Sequence, residues 1–194
     1  MKSKQGLVKK PGRGLTTTTV KSATLKRKGV GVVRRAVRTS PKKRLTLQQK
    51  SAAQLQKPAD EVFSRYIRLR DSTLINGTWM GDCITCTKLL PVYADGKWLK
   101  NAQNGHLISR GVLQLRYDEE NCNLQCSHCN AWLDKDEMIE RYRIAVDYKY
   151  GDGVYKSLKA RSKAPGALKR LTKQELLQVI EDSKQQIDFY LRET

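Results

Sequence analysis

The chain has 194 residues, with 38 Lys and Arg against 19 Asp and Glu and a formal net charge of +19. Residues 1–57 carry 17 of those cations and no carboxylate, which leaves residues 58–194 with 21 cations and 19 anions, a balance of only +2. The absence of any apolar run of eighteen residues excludes a membrane-spanning helix, and the N-terminus lacks the apolar stretch of a secretory signal, so the expected location is cytoplasmic.

Residues 1–44 read as a basic arm without an aromatic residue, including the run Thr16 to Thr19. Such a segment cannot bury enough apolar surface to offset its ordering entropy and is expected to be disordered. Its Lys and Arg would neutralise phosphates and release counterions without regard to sequence, which makes the arm a salt-sensitive tether to a polyanion. An organelle transit peptide has a similar composition.

Residues 45–76 are expected to be helical. Leu45 to Gln56 is rich in Leu, Gln and Ala, and Pro58 suits the first turn of a second helix, where its missing N–H goes unused. Asp60 to Asp71 places Val62, Phe63, Tyr66, Ile67 and Arg70 at spacings of three and four, one face of that helix. The core, residues 77–151, follows the turn dipeptide Asn76-Gly77. Asp95-Gly96 predicts a hairpin between Val92-Tyr93-Ala94 and Lys97-Trp98-Leu99. The alternation from Val112 to Tyr117 predicts a short strand, and a helix is expected from about Asp134 to Tyr150, stopped by Gly151. Residues 152–194 predict a short helix over 154–160, a basic linker broken at Pro165-Gly166, and a last helix. Thr172-Lys173-Gln174-Glu175 opens that helix as a capping box. Its apolar face is Leu176, Leu177, Ile180, Ile187, Tyr190 and Leu191.

Five cysteines occur. Four form two Cys-x-x-Cys pairs, Cys83/Cys86 and Cys126/Cys129, and two such knuckles supply the four thiolates of a closed, structural zinc site. Disulfides would require an oxidising compartment, and a thioredoxin-like motif would require a parallel-sheet pattern that is absent. Cys122 reads as a small buried side chain. His128, between two ligands, is an alternative ligand, though four cysteines close the site without it.

Between and beside the knuckles lie Gly105-His106, then Leu115-Arg116-Tyr117-Asp118-Glu119-Glu120-Asn121, then Cys129-Asn130. A His on an extended segment, an Asn in the next loop and an Asn opening a helix beside a knuckle resemble the HNH (ββα-metal) nucleases. Together with Ile67-Arg68-Leu69-Arg70-Asp71 and Cys83-Ile84-Thr85-Cys86, the pattern over about 60–155 is similar to the phage NinG/Rap recombination protein family. The resemblance implies an α+β fold, a small treble-clef/HNH zinc domain with flanking helices. It also implies a structure-selective, metal-dependent endonuclease that cleaves branched DNA such as Holliday junctions and D-loops.

In that reading His106 is the base, since imidazole titrates near neutral pH. The resemblance gives Asn121 the role of orienting His106 or its strand and puts Asn130 at a metal-ligand position, where an amide oxygen suits Mg²⁺ or Mn²⁺. HNH enzymes commonly carry an acidic ligand just before the base, where this chain has Gly105; either Asn130 holds the ion with waters and the scissile phosphate, or a carboxylate from elsewhere, such as Asp118 or Asp95, supplies the charge. Arg65, Arg68, Arg70, Arg110 and Arg116 are candidate phosphate contacts, with Arg141 and Arg143 behind them. Paired cutting of a junction needs two active sites, which suggests a homodimer through the apolar face of the last helix. The competing readings are a non-enzymatic zinc-containing DNA- or RNA-binding protein and a ribosome-associated zinc protein.

Overall fold

The computed structural model describes residues 45–132 and 135–192, so the expected disordered arm lies outside the described residues. The fold is α+β: a long first helix, a four-stranded antiparallel sheet, a separate two-stranded sheet and four further helices.

Helix α1 spans Ala52–Arg70 as one element, in place of the two segments predicted around Pro58. Ser51 starts it, with a capping box in which Ser51 and Gln54 exchange side-chain-to-backbone hydrogen bonds. Pro58 cannot donate to the Gln54 carbonyl, a defect that costs a helix interior about 3 kcal/mol. Gln54 is exposed, so water can take that carbonyl, while Leu55, Ala59, Phe63, Tyr66 and Ile67 form a buried stripe that runs through the proline and holds the helix together.

Strands β1 (Thr73–Ile75), β2 (Thr78–Asp82), β3 (Leu89–Ala94) and β4 (Lys97–Trp98) follow one another as an antiparallel meander. Its two hairpin turns, Asn76-Gly77 and Asp95-Gly96, place all four residues at positive φ, between 49° and 78°, the geometry of the tight turn that suits the twist of paired strands. The Asp95-Gly96 hairpin is as predicted. The one at Asn76-Gly77 extends a region that the sequence marked only as a turn.

Strand β5 (Ala102–His106) pairs antiparallel with β6 (Cys122–Cys126), with Ala102 opposite Cys126 and His106 opposite Cys122. A short helix, α2 (Ser127–Ala131), leaves directly from β6, and α3 (Asp136–Tyr150) and α4 (Val154–Ser162) follow. The expected strand at 112–117 is a 3₁₀ turn over Leu113–Leu115. Its backbone partners lie elsewhere: the Gln114 N–H donates to Ala167 and the Leu115 carbonyl accepts from the Asn121 amide.

Helix α5 (Lys173–Arg192) carries the predicted capping box, with Thr172 and Glu175 bonded both ways. Its apolar face is not open for pairing. Leu176 and Ile180 pack with Leu55 and Ala59 of α1, and Ile187 and Tyr190 pack around Phe63, Tyr66, Ile67 and Cys122. Among the described residues no helix is long and apolar enough to cross a membrane.

Candidate metal and catalytic site

The two knuckles meet. One ligand atom from each of Cys83, Cys86, Cys126 and Cys129 lies within 4.8 Å of the others, as four thiolates around a single ion require. Cys83 precedes a tight loop in which the Thr87 N–H donates to its carbonyl, and the Cys129 N–H donates to the Cys126 sulfur across the start of α2. The clustered thiols shift one another: burial alone would raise Cys126, but the Cys129 N–H and the neighbouring thiols hold it below its ordinary value, while burial raises Cys83 and Cys129. Three of the four are buried in the core with Leu69, Leu90, Val92 and Leu124, and Cys86 is the most open. The four cysteines can hold a metal such as zinc. The alternative ligand His128 faces Trp132 and is not among the four, and Cys122 is, as expected, a buried side chain outside the cluster.

His106 ends β5, and its Nε2 lies 3.0 Å from the Arg116 carbonyl. A carbonyl only accepts, so Nε2 carries the proton and Nδ1 keeps the lone pair. Burial pushes the imidazole below its ordinary pKa, and the charges of Arg116 and Arg110 act the same way against the carbonyl hydrogen bond and Asp60. The neutral, base-competent form therefore predominates at neutral pH.

Asn121 is fully buried and makes no hydrogen bond to the His106 ring. Its Oδ1 accepts the Ile108 N–H at 2.6 Å, and its amide donates to the Ile108 and Leu115 carbonyls. It thus pins the segment after His106 to the turn that precedes Arg116.

Two clefts, of about 480 and 390 Å³, share His106, Asn104 and Arg110. The first adds Asn130, whose Nδ2 donates to Gln103 Oε1 at 2.7 Å. The second adds Asp60, Glu61 and Lys57 from one face of α1. Asp118 lines neither cleft. Its Oδ1 accepts the N–H groups of Glu120 and Asn121, and Oδ2 is paired with Arg161, so this carboxylate shapes the loop and is not available to an ion beside His106. Asp95 occupies the tip of the β3–β4 hairpin.

The arginines divide sharply. Arg110 is exposed, lines both clefts and has no carboxylate partner among the described residues. Arg65 is half-exposed and pairs with Glu61. Arg68 instead donates to the Ser64, Leu99 and Ala102 carbonyls and lies over Trp98 at 4.9 Å; burial, with Arg65 adding to it, lowers its pKa to about 10. Arg70 is held by Asp71, the Cys122 carbonyl and Asn123, and Arg116 forms a two-pronged pair with Asp60 at 2.6 and 2.7 Å. Arg68, Arg70 and Arg116 are therefore structural side chains, not free phosphate contacts. Arg141 and Arg143 pair with Glu137 and Glu140 on the surface of α3.

The family model for the bacteriophage lambda NinG protein matches residues 8–193. The chain belongs to the NinG family. Membership makes it a phage recombination-related protein, and the match takes in the basic arm as well as the cysteine core. No curated protein and no solved structure matches the NinG chain described here.

Two residues beside His106 were not singled out by sequence. Asn104 is two positions back on β5, hence on the same strand face as His106, and its Oδ1 is buried without a hydrogen-bond partner. An unmade bond of this kind costs about 1–3 kcal/mol. Asp60 was assigned only to a helix, although Lys57, Asp60, Glu61 and Ser64 recur at helical spacing along the cleft. Asn104 and Asn130 carry neutral amide oxygens, hard donors of the kind that Mg²⁺ and Mn²⁺ accept.

Proposed function

We propose that this NinG protein is an HNH-type, metal-dependent endonuclease that cleaves branched DNA, Holliday junctions or D-loops, during phage recombination. The observation that carries the reading is the state of His106, neutral through burial and fixed by the Arg116 carbonyl, in a cleft with Asn130 and the unpaired Arg110. In the proposed reaction Nδ1 of His106 takes a proton from water, the water oxygen forms a bond to phosphorus, and the bond to the leaving sugar oxygen breaks. A divalent ion held by Asn130 and its neighbours would neutralise charge growing on the phosphate and the leaving oxygen. Arg110 grips a phosphate oxygen, and Asn121 holds the loop that positions His106. The four-cysteine cluster, as a treble-clef zinc site, fixes β6 and α2 and so sets the place of Asn130.

Contacts to phosphate position a protein on DNA without reading its sequence, which suits recognition of a branched shape and its backbone. Paired cutting of a junction calls for a homodimer, formed through a surface other than the α5 face that α1 covers. The test is incubation of the zinc-loaded full chain with an end-labelled four-way junction and Mg²⁺ or Mn²⁺. Metal-dependent cleavage, with paired nicks on opposing strands, is expected. A shifted band with intact strands would instead identify a non-enzymatic DNA-binding protein.

A further inference from the structure

Position 105 lacks an acidic ligand for a steric reason. A Cβ built on Gly105 would lie 1.8 Å from Gln125 Oε1 and 2.5 Å from its Cδ, so the Gln125 side chain occupies the space that any residue larger than glycine would need. Gln125 is itself fully buried and tied to Thr85 at 2.6 Å, and it cannot swing away without breaking that bond. A metal ligand on β5 must therefore come from another position.

Asn104 meets the requirements. It shares the face of β5 that carries His106, and it lines both clefts in which His106 appears. Its Oδ1 is buried and makes no hydrogen bond. Asn130, which lines the first of these clefts with it, commits its Nδ2 to Gln103 and leaves its oxygen end open to another partner. Two amide side chains therefore line the cleft of His106, and the oxygen of one is buried and unsatisfied.

We infer that Asn104, acting with Asn130, supplies the oxygen ligand for the catalytic divalent ion that position 105 cannot provide; this rests on the endonuclease reading above. A site built from neutral oxygens has little charge of its own. It holds Mg²⁺ or Mn²⁺ weakly in the free protein and tightly only when the scissile phosphate adds its negative charge. The linkage is reciprocal, so the ion tightens DNA by the same factor that DNA tightens the ion. This device confines a bound ion, and with it the hydrolytic competence, to the DNA complex.

The experiment is a titration of the zinc-loaded full chain with Mn²⁺, following the free-ion paramagnetic resonance signal, with and without a four-way junction. A His106→Ala background keeps the DNA intact. Asn104→Leu removes the donor, and Asn104→Asp keeps its shape while adding charge. Zinc content and circular dichroism verify the fold of each. Asn104→Asp is expected to tighten Mn²⁺ in the absence of DNA by about tenfold or more, and Asn104→Leu to weaken it in the complex by a similar factor. Mn²⁺ binding unmoved by both folded variants would overturn the inference. If the parent chain cleaves the junction while the variants bind Mn²⁺ as it does, only the role of Asn104 fails; if it cleaves with neither metal, the endonuclease reading fails.

Discussion

Asp71 is the buried node between α1, β6 and α3, and its removal is expected to be among the costliest single changes in the protein. Its side chain is 8% exposed. Oδ1 accepts from Arg70 Nε at 2.8 Å and Lys149 Nζ at 2.7 Å, and Oδ2 from Arg70 Nη2 at 3.0 Å and the Leu124 N–H at 2.9 Å. Asp71→Ala leaves a guanidinium and an ammonium facing each other and strands a strand N–H. Breaking a buried pair from one side costs about 3–5 kcal/mol, against a total stability of about 5–15 kcal/mol for a domain. At this chain length that corresponds to a fall in Tm of roughly 6–20 °C. Asp71→Asn keeps the shape and a partner for Leu124 and is expected to lose about 1.5–3 kcal/mol. Burial would raise the Asp71 carboxyl, but Arg70 and then Lys149 outweigh it and hold it below its ordinary value. A depressed carboxylate stabilises above its unfolded-chain pKa and loses that contribution as pH falls through the folded value. The gap between parent and Asp71→Asn should thus be equal at about pH 5 and about pH 7, both above the unfolded value near 3.9. Urea denaturation of zinc-loaded protein at both pH values measures it. A loss under about 1 kcal/mol for Asp71→Ala, or a gap that closes at the lower pH, would refute the reasoning.

Three further outcomes follow from the same structure. Zinc released with a thiol reagent should amount to about one ion per chain, and Cys83→Ser with Cys126→Ser should abolish it and collapse the near-ultraviolet dichroism, because binding and folding energy are shared at such a site. Arg110→Ala should weaken junction binding in a gel shift while changing stability by no more than about 0.5 kcal/mol; Arg68→Ala should instead cost about 2–3 kcal/mol through its three carbonyl partners. The acid limb of the single-turnover cleavage rate should have its midpoint below about 6.5, since burial lowers the His106 pKa and only the neutral ring accepts a proton; a midpoint above that value would show that a different group titrates.

The features most legible in the sequence were those that a few residues at fixed spacings settle among themselves. The knuckle spacing brings Cys83, Cys86, Cys126 and Cys129 together, and Asp95-Gly96 and Thr172 to Glu175 act within their own turns. What escaped was decided by distant partners. Pro58 reads locally as a helix start, but the stripe from Leu55 to Ile67 buries against α5 and carries the helix through it. The Val112 to Tyr117 alternation had no free strand to join, because Asn121 and the segment near Ala167 take its hydrogen bonds. An arginine looks the same in sequence whether it faces phosphate or Asp71, so Arg68, Arg70 and Arg116 could not be told from Arg110. The β5 alternation already puts residue 104 on the face of His106, but its significance depends on the orphaned Oδ1, which only the packing reveals.

In the proposed reaction His106 removes the proton from the attacking water. Its most direct test is single-turnover cleavage of a labelled four-way junction by zinc-loaded parent and His106→Ala protein, with saturating protein and fixed Mg²⁺ or Mn²⁺. Equal zinc content and equal junction affinity are expected, with the cleavage rate constant reduced by about 10²–10⁴. A His106→Ala protein that folds, binds and cleaves at the parent rate would contradict it.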